Sequence, residues 1–168
     1  MILPESITIT RSKEEHAESY NKAVNTVIRE QKYLMAVEEF SLESTKSLLK
    51  TICENDLPQY FLIEDNIVIG CCDILPKTIT GYKHAGTFGI VLLPKIRGKG
   101  YGKILAEKTL DHAKNITKLE KVELVVFESN VNAYKLYKKL GFFEEGKKIK
   151  TRKINEQYDN EILMGKFL

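Results

Sequence analysis

Apolar and polar residues alternate in "SITIT", which predicts a short strand near the start of the chain. Ala17, Tyr20, Val24, Val27 and Ile28 then recur at helical spacing, so a first long helix follows. A second helix begins around "SLESTKSLL", where Ser41 stands three residues before Ser44 and Leu42, Leu48, Leu49 and Ile52 supply the apolar face. "PQYFLIE" and "IVIGCCDIL" flank Asp65 and Asn66, the pattern of an antiparallel hairpin with a tight turn. "GTFGIVLL" reads as a further strand, ended by Pro94, whose missing N–H stops the ladder. A helix from about Gly100 to Lys114 comes next, then the valine-rich strand "KVELVVF". "NVNAYKLYKKLGF" places Ala133, Leu136, Tyr137 and Leu140 on one helix face and ends at Gly141. "KKIKTRKI" and "YDNEILMGKFL" close the chain as two strands around "NEQ". An α/β (α+β) architecture suits this order, with a mixed, mostly antiparallel central sheet of about seven strands and about four helices on its two faces.

Composition narrows the class without choosing a chemistry. The chain has 168 residues, 43% hydrophobic and 29% charged, enough to bury the core of one compact domain and too apolar for disorder. No repeat or Pro/Ser-rich linker divides it, so a single domain over 1–168 is expected. No run reaches the length of a membrane span, and "MILPESITIT" lacks the basic start and apolar core of a signal peptide; the expectation is a cytoplasmic protein with no membrane partner. Cys53, Cys71 and Cys72 are odd in number and lack C-x-x-C spacing, which reads as reduced packing residues with no metal. A net charge of +3 is too small to suggest a nucleic-acid protein, and the basic "GKKIKTRKI" lacks interleaved aromatics.

The unusual stretch is "VLLPKIRGKGYGKILAEKTL". Gly98, Gly100 and Gly102 stand at alternate positions where a strand turns into a helix, each giving up about 0.5–1 kcal/mol relative to alanine. The first backbone N–H groups of a helix have no partner in it, and bare glycines let an anion approach them. Two nucleotide motifs fail here. A P-loop needs G-x-x-x-x-G-K-[ST], but Gly98 and Gly102 enclose three residues and Lys103 is followed by Ile104. The dinucleotide fingerprint needs a third glycine where Lys103 or Leu105 stands. What remains is Arg97-x-x-Gly100-x-Gly102, with Arg97, Lys99 and Lys103 adding positive charge; an ordinary flexible turn is the plain alternative.

"GIVLLPKIRGKGYGKIL" resembles the acyl-CoA-binding motif R/Q-x-x-G-x-G/A of the GNAT superfamily of N-acetyltransferases. "ESNVNAYKLYKKLGFFEEG" resembles that superfamily's next segment, N-x-x-A-x-x-L-Y-x-x-x-G-F. The similarity runs from about Leu57 to Leu168, while the first 56 residues match only in their strand and two-helix order. The resemblance implies acetyl-CoA as co-substrate and an amine as acceptor. It implies that the main chain from Arg97 through Gly98, Lys99, Gly100, Tyr101 and Gly102 to Lys103 holds the pyrophosphate. Ile90, Val91 and Leu92 would offer backbone groups to the pantetheine arm, which would enter a break in the sheet beside "VELVVF" and meet Asn130. Tyr137 would be the proton donor to the departing thiol; read without the motif it is a core aromatic on the apolar helix face.

A base for the amine is less marked. Some relatives carry a glutamate in the strand before the coenzyme loop where this chain has Thr87, and threonine cannot serve. Asp73, Glu38 and Glu39 are the candidates, Asp73 if strand alternation turns it into the groove, the glutamates because they lie in the loop where relatives contact the acceptor. His84 has a suitable ordinary pKa but reads as an exposed turn residue. Tyr158 and Asp159 suit either the acceptor side or a surface hairpin. The acids of "AVEEFSLES" suit a cationic acceptor or simply solvate the loop. A non-catalytic acyl-CoA-binding domain is the rival reading, and either a monomer or a homodimer paired through the last strands is compatible with the chain.

Overall fold

The structure, a computed structural model, describes residues 3–168. Its elements in chain order are β1 (Ile7–Arg11), α1 (Ala17–Ile28), α2 (Leu42–Glu54), β2 (Gln59–Glu64), β3 (Ile67–Pro76), β4 (Ala85–Leu92), α3 (Tyr101–Asn115), β5 (Lys121–Phe127), α4 (Val131–Lys139), β6 (Phe143–Ile154) and β7 (Gln157–Phe167). All seven strands join one sheet in the order β1-β2-β3-β4-β5-β7-β6.

Local chemistry sets most of these boundaries. Ser41 caps α2 by accepting the Ser44 amide at 3.0 Å, which fixes that helix start. Asp65 and Asn66 both take positive φ, 49° and 61°, as a two-residue hairpin loop of the right twist requires. The last hairpin departs from the sequence reading: β6 begins at Phe143, four residues before "KKIKTRKI". It is an edge strand, exposed on both faces for most of its length and interrupted by bulges, so no alternation marks its start.

Two apolar layers cover the sheet. On one face Cys72, Ile74 and Phe88 pack with Leu105 and Ala106 of α3 and Tyr137 of α4. On the other Cys71, Phe61 and Val91 pack with Ala17, Tyr20, Val24 and Ile28 of α1. The adjacent cysteines lie on opposite faces, as a strand dictates, and all three cysteines are free thiols.

One junction interrupts the sheet. Among the described residues β4 and β5 are its one parallel pair, and they pair only through Ala85–Lys121, Gly86–Val122 and Thr87–Glu123. Beyond that point β4 stays bonded to β3 as far as Leu92, and β5 stays bonded to β7 as far as Phe127. The facing edges of 88–92 and 124–127 therefore part, leaving a split with unpaired backbone groups on its walls.

Candidate active site

The split opens toward the glycine corner. Gly98 and Gly100 adopt φ of +74° and +81°, a region that costs a residue with a side chain about 1–2 kcal/mol. The turn they make presents the amides of Gly98, Lys99, Gly100, Tyr101 and Gly102, none of which donates to a carbonyl among the described residues. Behind them runs the 15-residue α3, whose dipole places positive potential at that end. Gly102 has a different reason to be small. A Cβ there would meet Leu92 Cδ1 at 3.0 Å and Leu136 Cδ2 at 3.5 Å, so bareness lets α3 pack on β4 and α4. The single reason given above for three glycines thus divides into two.

Arg97 also needs correcting. Its amide already donates to the Pro94 carbonyl at 3.3 Å, so the free donors start at Gly98. Its guanidinium binds both Glu30 oxygens, at 2.8 and 2.5 Å, lies 4.6 Å from the Tyr33 ring centre and donates through Nε to the Leu92 carbonyl. Hydrogen bonding to Glu30 pushes the Arg97 pKa up. Its charge is spent there, leaving exposed Lys99 and Lys103 to supply cations at the corner, Lys103 while paired to Glu107 at 3.3 Å.

Across the split, Asn130 begins α4 and its side-chain oxygen accepts the Ala133 amide at 3.3 Å. That leaves its amide N–H groups uncommitted among the described residues. Two turns on, Tyr137 is buried against Phe88 and Phe142, both edge-on to its ring. Its hydroxyl makes no hydrogen bond among the described residues, and burial raises its pKa well above 10, with Cys72 adding to the shift. Both readings of Tyr137 therefore describe one side chain: its ring is core and its hydroxyl is unengaged.

Asp73 lies on the α1 face of β3, between Gln59 of β2 and Gly89 of β4. It is half-buried beside Tyr20, Cys71 and Gln59, with no cation paired to it among the described residues. Desolvation pushes its pKa up to about 6, partly offset by the Gln59 amide. Glu38 and Glu39 are both exposed on the α1–α2 loop, and Glu39 is held by Arg29 at 2.8 Å. Neither is joined to Asp73 or Tyr137 by a hydrogen bond among the described residues. Thr87 and His84 are exposed, Asp159 is bonded to Ser129, and Tyr158 stands between Lys150 and Lys153 on the outer hairpin. Glu30, Gln59 and Tyr20 were missed by sequence reasoning: each acts through a partner dozens of residues away, and no local pattern marks such a pair.

A sequence model of the Acetyltransferase (GNAT) family matches residues 23–142, the span from α1 through the glycine corner to the end of α4. The chain belongs to that family. Among curated proteins this acetyltransferase is 28% identical to spermidine N(1)-acetyltransferase of Vibrio cholerae over 134 residues, 76% of each chain. It is also 28% identical over 102 residues to an L-amino acid N-acetyltransferase of Escherichia coli, covering 61% of this chain and 63% of that one. Among solved structures it superposes on a GNAT-family acetyltransferase from Streptococcus pneumoniae with TM-score 0.89 at 21% identity, covering 96% and 99% of the two chains. A phosphinothricin acetyltransferase from Sinorhizobium meliloti, solved in complex with AcCoA, gives TM-score 0.89 at 19% identity over 97% of this chain and 89% of that one. These superpositions establish the mixed seven-stranded fold. Among the described residues no cluster of His, Cys, Asp or Glu has metal-binding geometry, and no helix is long and apolar enough to cross a membrane.

Proposed function

We propose that this acetyltransferase uses acetyl-CoA to acetylate a primary amine in a ternary complex, with residues 1–168 working as one cytoplasmic catalytic domain. The observation that carries the reading is the split itself: unpaired amides at Gly98–Gly102 stand at its mouth, and Tyr137 is buried against Phe88 on its β4 wall. The pyrophosphate sits on those amides, Ile90 and Leu92 offer the pantetheine arm their β5-facing backbone groups while those of Val91 are turned to Cys71 of β3, and an Asn130 N–H adds a donor. Named relatives that act on spermidine or amino acids, and the AcCoA-bound neighbour of the same fold, support an amine acceptor and this coenzyme. Either a monomer or a homodimer is compatible with this reading.

Asp73 is the group best placed to take the amine's proton, ahead of Glu38 and Glu39. The ammonium passes one proton to its carboxylate, directly or through water, and the freed lone pair attacks the thioester carbon. The C–N bond forms, the C–S bond breaks, and sulfur leaves as thiolate. A second proton from nitrogen ends on that sulfur, and Asp73 returns its own to solvent, leaving an amide, a thiol and one proton. A carboxyl at about 6 in place of 3.8 narrows the gap to an amine near 10.4 by about 3 kcal/mol. Tyr137 is a weaker acid than the thiol, so its hydroxyl stabilises the leaving sulfur as a hydrogen-bond donor and stays protonated.

The reading is tested by thiol release from acetyl-CoA across a panel of amines, including spermidine, free amino acids and peptides, with coenzyme A binding measured by calorimetry. Amine-dependent release is expected; absence of coenzyme A binding at millimolar ligand to folded protein would overturn the assignment.

A further inference from the structure

The segment following α1 is fastened at two points, and both lie at the ends of the parted strands. Arg97 follows β4 and holds Glu30 through two N–H···O bonds, with Tyr33 beneath its guanidinium. The same side chain is fixed from behind by the carbonyl of Leu92, the last residue of β4. Arg152 of β6 donates to the carbonyls of Gln31 at 2.7 Å and Lys32 at 3.3 Å. Its guanidinium stacks 4.2 Å from the ring centre of Phe127, the last residue of β5. Residues 30–33 therefore run from the end of one parted strand to the end of the other. Tyr33 and Leu34 pack into the α1-side layer, which places the segment on the face opposite α3 and α4.

Each clamp needs an arginine. Arg97 directs donors at Glu30 and at Leu92 in one plane while stacking on Tyr33, and Arg152 serves two carbonyls while stacking on Phe127. A lysine has neither the fork nor the flat face. The clamps are partly exposed, with Arg97 and Glu30 side chains 28% and 27% accessible, so they add little to global stability and much to geometry.

We propose that Arg97 and Arg152 are positioning residues that hold segment 30–33 as a strap across the α1-side mouth of the split, and that coenzyme bound at the Gly98–Gly102 amides tightens this strap through Arg97. The inference rests on the coenzyme assignment above. Arg97 adjoins Gly98 in the chain, so fixing the amides fixes the base of the side chain that grips Glu30. Coenzyme on the α3 side is then sensed by the segment bounding the face that bears Asp73, where the amine must enter.

Hydrogen exchange read by mass spectrometry on the full chain, with and without saturating coenzyme A, tests it without any acceptor. In the wild type, coenzyme A should slow exchange across residues 30–36 by about fivefold or more. Glu30→Gln should abolish that slowing and weaken coenzyme A binding by no more than about the same factor, because the coupling is reciprocal and Glu30 touches no coenzyme donor. Glu30→Asp, which keeps the charge, should restore part of it, and Arg152→Lys should speed exchange of the strap with and without ligand. Coenzyme A that binds the wild type without slowing the strap, or slows it equally in Glu30→Gln, would overturn the inference and leave the acetyltransferase reading standing. Failure of every protein to bind coenzyme A would remove both.

Discussion

The carboxylate of Asp73 lies directly over Gly89: a methyl group built on that glycine would come within 3.1 Å of Oδ1. Gly89 precedes Ile90 on the edge of β4 that β5 abandons. A desolvated carboxylate is thereby held against the free stretch of β4, on the α1 face of the sheet.

Asp73→Asn should lower kcat by about a hundredfold, the scale of a lost general base, with coenzyme A affinity unchanged. In the wild type, kcat/KM should fall as pH drops through about 6, where the carboxylate becomes protonated, and the variant should lack that limb. Stability should move oppositely. The folded pKa lies above the ordinary 3.8, so the unfolded chain holds fewer protons than the native one between the two values, and the ionised carboxylate costs stability fully above about pH 6. The asparagine variant should therefore melt higher than wild type at pH 8 and gain nothing near pH 4, as scanning calorimetry would reveal.

Tyr137→Phe removes one hydroxyl and keeps the ring between Phe88 and Phe142. Turnover should fall about tenfold to a hundredfold with melting temperature and coenzyme A affinity preserved. The raised pKa keeps the hydroxyl protonated, so no basic limb of the pH profile below 10 should belong to it. Unchanged turnover would remove Tyr137 from the chemistry.

The glycines of the corner should separate by experiment. Gly98→Ala places a methyl where no atom lies within 4 Å, at φ +74°; it should cost about 1–2 kcal/mol of stability and weaken coenzyme A binding. Gly102→Ala meets Leu92 and Leu136, so its cost should come from packing α3 onto β4. Denaturant melts and coenzyme A titrations on the two variants would tell a ligand-facing glycine from a packing one.

Away from the site, His112 of α3 donates from Nε2 to the Asp56 carbonyl at 2.9 Å, which leaves Nδ1 to accept from Arg11 at 2.9 Å and Tyr60 at 3.2 Å. Burial lowers its pKa below 6.5, helped by the Arg11 charge and opposed first by the hydrogen bond to the Asp56 carbonyl and then by the weaker Asp56 and Asp111 charges. A depressed histidine contributes stability that is complete above pH 6.5 and lost as pH falls through the folded value. Between about pH 7.5 and pH 5.5 the wild type should lose more melting temperature than His112→Gln. NMR titration of the imidazole would check the direction independently.

Consecutive residues were enough to determine the order of elements, the caps and turns, and the corner. Helical and strand periodicity, the Ser41 cap, the Asp65–Asn66 loop and Pro94 act within a few residues of one another, so their physics is written in the local sequence. The motif around Asn130 and Tyr137 likewise marked the second half of the candidate site. Tertiary structure alone decided where β4 and β5 part, because pairing that ends after Thr87 and Glu123 depends on registers held by β3 and β7. It also assigned Arg97 to Glu30, 67 positions away, split the glycines between positive-φ turn positions and packing, and left Asp73 unpaired by a cation among the described residues. The early start of β6 was hidden for the same reason: an edge strand gains its identity from the neighbour it bonds to, and its own side chains, exposed on both faces, carry no period to read.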